Sequence, residues 1–243
     1  MKKLLSYVII LGCWLTGSLI VNNDLLLPTP FTVGFKMIQL LTTSSFYGQL
    51  AQSFGRVFIV VLLAFVLALG FVLISLRRPF MRQFIGAIND VFRTLPIAAF
   101  LILSLIWFGR QASIILVGIL IVLPIIYDFL MEALVRVQLQ YREVIDLYGS
   151  SLTENVRKIF LPLLKRPLLT LFKSSTLLAV KTTINAEVLA AIMNGIGYQL
   201  AYAQAQLDTV TILAYSGWLV LFSLAFSGIL DWYVSRIDSR DQV

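Results

Sequence analysis

The sequence predicts an all-α integral membrane protein with about six transmembrane helices, on three observations. Hydrophobic residues fill 59% of the 243 positions and charged ones 13%, with a mean hydropathy of +0.92, far from the balance of a soluble domain. Several apolar runs are long enough to cross a hydrocarbon core roughly 30 Å thick as helices of about 20 residues. Period-two alternation in short segments, the mark of a membrane barrel, is missing, and helices are the other structure that satisfies its backbone within lipid.

In chain order the expected spans are Leu4–Val21, Val57–Leu76, Leu95–Phe108, Ser113–Met131, Leu168–Ile192 and Val210–Leu230. The first follows Met1-Lys2-Lys3 and has no convincing small-residue cleavage site after it, so it reads as a retained helix at 4–21 and not as a signal peptide. Between the first and second spans, NNDLLLPTP keeps the chain extended through Pro28 and Pro30, and FKMIQLL has the spacing of a short interfacial helix. No repeat, low-complexity tract or linker divides the chain, so residues 1–243 read as one transmembrane domain with a core at 57–230 and a polar loop at about 138–166.

With the amino terminus in the cytoplasm, Lys2, Lys3, Arg77, Arg78, Arg82, Arg93, Arg136, Arg142, Arg157, Lys158, Lys165, Arg166, Arg236 and Arg240 all fall on the cytoplasmic side, and Lys36, Arg56 and Arg110 fall outside. That asymmetry sets the orientation, with both termini cytoplasmic. It also explains the net charge of +7 by membrane topology, without nucleic acid as a partner. Histidine is absent and Cys13 is the single cysteine, which removes the commonest general base and metal ligand and any internal disulfide. No catalytic or metal constellation is expected. No Gly-rich phosphate loop with Lys-Ser/Thr occurs either, so the chain itself is not expected to bind ATP.

The polar loop reads REVIDLYGSSLTENVRKIFLP over residues 142–162. Ser151 and Glu154 have capping-box spacing, so a helix starts there and carries Arg157, Lys158 and Ile159. Gly149 can take the positive φ that ends the preceding helical turn, and Pro162 and Pro167 are expected to end or kink the helix before the next span. Two short helices bent at Gly149 suit docking against a soluble partner, whereas an ordinary solvated loop would give weak surface pairs only.

Glu143, Gly149 six positions on, Ile159 ten further and then Leu161-Pro162 resemble the EAA motif of type I ABC importer permeases, with Val144 and Ile145 in place of its two alanines. LLPTPFTVGFKMIQLL, RTLPIAAFLILSLIWFG and AEVLAAIMNGIGYQL are similar to the nitrate, sulfonate and taurine branch, which includes carriers of thiamine precursors. The resemblance runs from about Leu27 to Asp231. It implies a MetI-like permease fold and a subunit of an ATP-driven importer in a bacterial cell membrane. It also implies two ATP-binding partner subunits that hold ATP and Mg, a second permease copy and an extracytoplasmic binding protein. Its loop would be a coupling helix held in the ATPase cleft through Glu143 and Gly149; the residues themselves add Ser151, Glu154, Arg157 and Lys158 as contacts.

The fifth span is unusually polar. Lys173 can snorkel to the cytoplasmic interface, but Lys181 sits deeper, where an insertion scale charges about 2.5–3.5 kcal/mol for a lysine, so it should face protein or a watery path. At about 100° per residue, Lys181 shares a face with Asn185, and Glu187 shares one with Thr183. The two charges therefore do not meet, and each needs a partner elsewhere; Asp128 and Glu132 are candidates only if packing brings them close. Lys181, Thr182 and Asn185 are expected to line the translocation path and favour an anion, with Glu187 in a gate or against the binding protein. A buried interhelical network is the competing reading. Two other functions stay open: a membrane scaffold whose loop recruits a cytoplasmic partner, and a secondary transporter, for which inverted internal symmetry would be the sign.

Overall fold

A computed structural model of the protein describes residues 2–140 and 161–240, and among these every regular element is a helix. α1 (Lys2–Val21) ends where Asn22 turns left-handed at φ 45°. The indole of Trp14 then donates to the carbonyl of Pro28 at 3.1 Å, tying α1 to the extended segment after it. α2 (Pro30–Leu41) begins with Pro at its first position, and the Thr29 hydroxyl accepts from the amide of Thr32, which satisfies one of the orphan donors of a helix start.

α3 (Ser44–Arg77) is longer than the span expected at Val57–Leu76. The polar stretch Ser44–Arg56, expected to lie outside, belongs to the same helix. Its buried residues Ser53, Val57, Val60, Ala64, Ala68, Val72 and Ser75 recur every three or four positions, one face of a helix. That face packs on the next hairpin, where a Cβ on Gly118 would lie 2.7 Å from a Val60 methyl. The close approach therefore needs a residue without a side chain.

Arg78 is extended (φ −139°, ψ 109°) and Pro79 restarts the chain as α4 (Pro79–Thr94), a helix the apolar-run analysis did not anticipate. Leu95, held extended before Pro96, separates it from α5 (Ile97–Gln140). α5 is not straight. Gly109 within it has φ 72°, ψ 177°, a left-handed-side conformation open to glycine, and Arg93 pairs with Asp128. On a continuous helix those two residues would be separated by roughly 50 Å at 1.5 Å per residue, so the chain reverses at Gly109 into two antiparallel arms. These arms are the spans expected at Leu95–Phe108 and Ser113–Met131. From Gly109 to Asp128 the second arm rises roughly 28 Å, close to the thickness of a hydrocarbon core.

α6 (Leu161–Leu189) starts earlier than expected and runs through Pro162 and Pro167. Pro167 lies inside this helix; the helix that Pro162 was expected to end or kink lies outside the described residues. α7 (Ile196–Ala205) is a short helix after the NGIG segment, and α8 (Thr209–Arg240) completes the chain. Among the described residues three helices are long and apolar enough to cross a membrane: α3, α5 and α8 (Thr209–Arg236). α1 contributes a shorter apolar run, Val8–Val21, and α6 carries Lys165, Arg166, Lys173, Lys181 and Glu187 along its length.

The core lies between α3, the second arm of α5 and α6, around Val60, Ala64, Val122, Ile126, Ala179 and Ile184. A second cluster joins the two arms of α5 to the end of α6 through Leu101, Ile114, Val117, Ala186 and Ala190. The bundle thus has two ends. Gly109, Arg56 and the α6–α7 turn mark one, and the pairs Arg93–Asp128 and Lys173–Asp231 mark the other.

Candidate functional site

At the Gly109 end, four segments converge on one buried ion pair. Arg56 of α3 and Glu187 of α6 are 131 residues apart in sequence, and Nη1 meets Oε1 at 2.5 Å with side-chain exposures of 7% and 0%. Removing two charges from water costs several kcal/mol per ion, so such a pair persists only when the remaining hydrogen-bonding capacity is met. Here it is met. Glu187 Oε2 also accepts from the Ser53 hydroxyl at 2.7 Å and from the amide of Gly197 at 2.9 Å. Arg56 Nε donates to Gln111 Oε1 at 2.9 Å, just past the Gly109 reversal, and Nη2 donates to Asn194 Oδ1.

The turn between α6 and α7 is shaped to this pair. The amides of Gly195, Ile196 and Gly197 donate in succession to Gln49 Oε1, Ser53 Oγ and Glu187 Oε2. The last two belong to the first turn of α7, whose amides have no partner within the helix, and a carboxylate there is also favoured by the helix dipole. Glycine is required at both ends of the segment. Gly195 sits at φ 98°, and a Cβ on Gly197 would lie 2.2 Å from the Cβ of Glu187.

The faces inferred for α6 divide in the structure. Glu187 and Thr183 are buried, while Lys181 and Asn185 are exposed. Lys181 and Asn185 line an open groove of about 450 Å³ together with Leu200 of α7 and Ser216, Leu219 and Ser223 of α8. Among the described residues no carboxylate pairs with Lys181. Thr182 is half-buried and its hydroxyl donates to the carbonyl of Ala179 at 3.2 Å, so it is occupied by its own helix. Glu187, fully enclosed, has no surface on that groove. Asp128 and Glu132, weighed as partners for the α6 charges, are engaged by Arg93 and Arg136. Lys173, expected to snorkel without a role, forms an ion pair with Asp231 of α8 at 2.6 Å.

Of the loop residues singled out above, Glu143, Gly149, Ser151, Glu154, Arg157, Lys158 and Ile159 lie outside the described residues; Leu161 and Pro162 form the first positions of α6. Ser53, Arg56, Gln111 and Asn194 were not singled out. The signal for Arg56 was present: it is one of three cations on the side poor in positive charge, at the mouth of an apolar run, as Glu187 is at the end of another. Charges at matching depths on two spans are natural partners.

The family described as the inner membrane component of binding-protein-dependent transport systems matches residues 61–240. The chain belongs to this family. No curated protein matches it significantly. As a permease of this kind it is an integral membrane transport subunit, one that works with ATPase and binding-protein partners. The matched region takes in the α5 hairpin, the Lys181 groove, Glu187 and the loop between α5 and α6. Ser53 and Arg56, the α3 half of the buried clasp, lie before its first residue.

Proposed function

We propose that this permease is the membrane subunit of an ATP-driven importer in a bacterial cell membrane, with both termini cytoplasmic. It works as one of two copies with two ATPase subunits and an external binding protein. The observation that carries this reading is the EAA-like spacing of Glu143, Gly149, Ile159 and Leu161-Pro162. It falls inside the family match, in the connection between α5 and α6, whose ends lie away from the buried clasp. Closure of the ATPases on ATP pulls on that connection, with Ser151, Glu154, Arg157 and Lys158 as contacts, and the motion passes into α5 and α6.

Lys181 and Asn185 line the path, with Thr182 beside them on the same helix, and the substrate is a small anion or heterocycle such as a sulfonate, nitrate, taurine or a thiamine precursor. An exposed cation beside a carboxamide and two serines in a largely apolar groove supports this choice. Glu187 serves the outer gate from behind, by fixing the α6–α7 turn against α3. Most of the selection belongs to the external binding protein.

The test is affinity purification of the tagged full chain from its native membrane, with ATPase activity as the readout. ATPase should accompany the chain and be lost from the double variant Glu143→Ala with Gly149→Pro. ATPase retained by that variant, or substrate uptake into vesicles that runs without ATP, would overturn the proposal.

A further inference from the structure

α4 has an apolar surface wider than the protein covers. At about 100° per residue, Met81, Ile85, Ile88, Asn89 and Phe92 occupy one arc of the helix, and with Gly86 these are its buried or half-buried positions. Next to that arc, Phe80, Phe84, Ala87 and Val91 fall within about 60° of one another, and they are exposed, Phe80 by 69%, Phe84 by 53% and Val91 by 55%. The rings of Phe80 and Phe84 stack at 6.4 Å with 11° between planes, so the stripe is continuous. Arg82, Gln83, Asp90 and Arg93 hold the opposite, polar side.

Position and charge identify what covers the stripe. α4 starts two residues after the end of α3, an apolar helix long enough to span, so its first turn lies where the chain leaves the hydrocarbon. Arg77, Arg78 and Arg82 cluster at that point, all exposed, and among the described residues none has an ion-pair partner. Arg93, at the far end of the helix, is held by Asp128. An in-plane helix with one apolar edge, a polar side toward water and unpaired guanidiniums at its start has the features of an interfacial membrane helix. Guanidinium groups bind phosphate oxygens in a bidentate fork.

We propose that α4 lies in the plane of the membrane interface, with Phe80, Phe84 and Val91 in the acyl boundary, and that Arg77, Arg78 and Arg82 form a binding site for anionic phospholipid headgroups. The site is independent of what the permease carries.

The test uses the full chain in nanodiscs of phosphatidylcholine with and without phosphatidylglycerol. Cys13, the single cysteine, is exposed, so a spin label is placed by Phe84→Cys on a Cys13→Ser background. The label should be open to oxygen and shielded from a water-soluble nickel chelate. A label open to the nickel chelate places the stripe in water, and one shielded from both places it under a protein partner such as a second copy; either overturns the proposal. In a second arm, phosphatidylglycerol retained by the chain is measured by native mass spectrometry for Arg77→Gln, Arg78→Gln and Arg82→Gln, singly and combined. Retention should fall about fivefold per arginine removed, the equivalent of roughly 1 kcal/mol each, with phosphatidylcholine unchanged. Equal phosphatidylglycerol retention by the triple variant and the wild type refutes the headgroup site.

Discussion

Glu187→Gln is the sharpest probe of the buried clasp. The substitution keeps the shape of the side chain but removes the charge that Arg56 faces, leaving a guanidinium at 7% exposure with neutral partners only, Gln111 and Asn194. Breaking one side of a buried pair typically costs 3–5 kcal/mol, because the surviving charge stays desolvated. For a chain of this size each kcal/mol is worth roughly 2–4 °C of melting temperature, so thermal unfolding of the purified protein should begin on the order of 10 °C lower. Arg56→Met should cost a similar amount. The double variant Arg56→Met with Glu187→Met should cost less than the sum of the two single changes, since both charges then leave the interior together. A loss below about 1 kcal/mol for Glu187→Gln, the range of surface pairs, or strict additivity in the cycle, would show that the pair does not hold α3 to α6.

The other expectations are simpler. Gly197→Ala drives a Cβ to within 2.2 Å of Glu187 Cβ and 2.9 Å of the Val188 amide, so it should lower the yield of folded protein at least as much as Glu187→Gln. Gly228→Ala, with nothing within 4 Å, should be close to neutral in the same assay. Asp208 is subject to burial, which raises its pKa, but the Thr211 hydroxyl and amide and then Lys36 outweigh it and hold the carboxyl below its usual value. Its contribution is therefore complete above the unfolded pKa of about 4 and fades as pH falls through the lower folded value. Protection of the Thr211 amide against hydrogen exchange, relative to its intrinsic rate, should fall in that acidic window and should lose the pH step in Asp208→Asn. Lys181→Met should reduce substrate uptake by the reconstituted transporter while assembly with its partners is retained; unchanged uptake removes Lys181 from the path.

Apolar runs marked the places of the membrane helices because lipid demands long uninterrupted hydrophobicity. The same demand hid α4, whose arginines and Asp90 break the run although its apolar residues recur at helical spacing. That Lys181 shares a face with Asn185, and Thr183 with Glu187, was legible from helical geometry alone; which of the two faces is buried was not. The partner of Glu187 was hinted at by depth but not fixed by spacing. Arg56 is 131 residues away, and no periodicity within α6 or α3 says that those helices meet at that depth. A helix end was also misplaced where polar residues continue a helix past an apolar run, as in Ser44–Arg56.

The reversal at Gly109 bears on how the chain is made. The arm before it, Ile97 to Phe108, rises only about 18 Å, well short of a bilayer's apolar depth. Its inner side rests on Ile114 and Val117 of the following arm and on Ala186 and Ala190. During synthesis that short arm has no stable place in lipid until the next one has emerged. The two arms therefore belong together as one packed pair joined at Gly109.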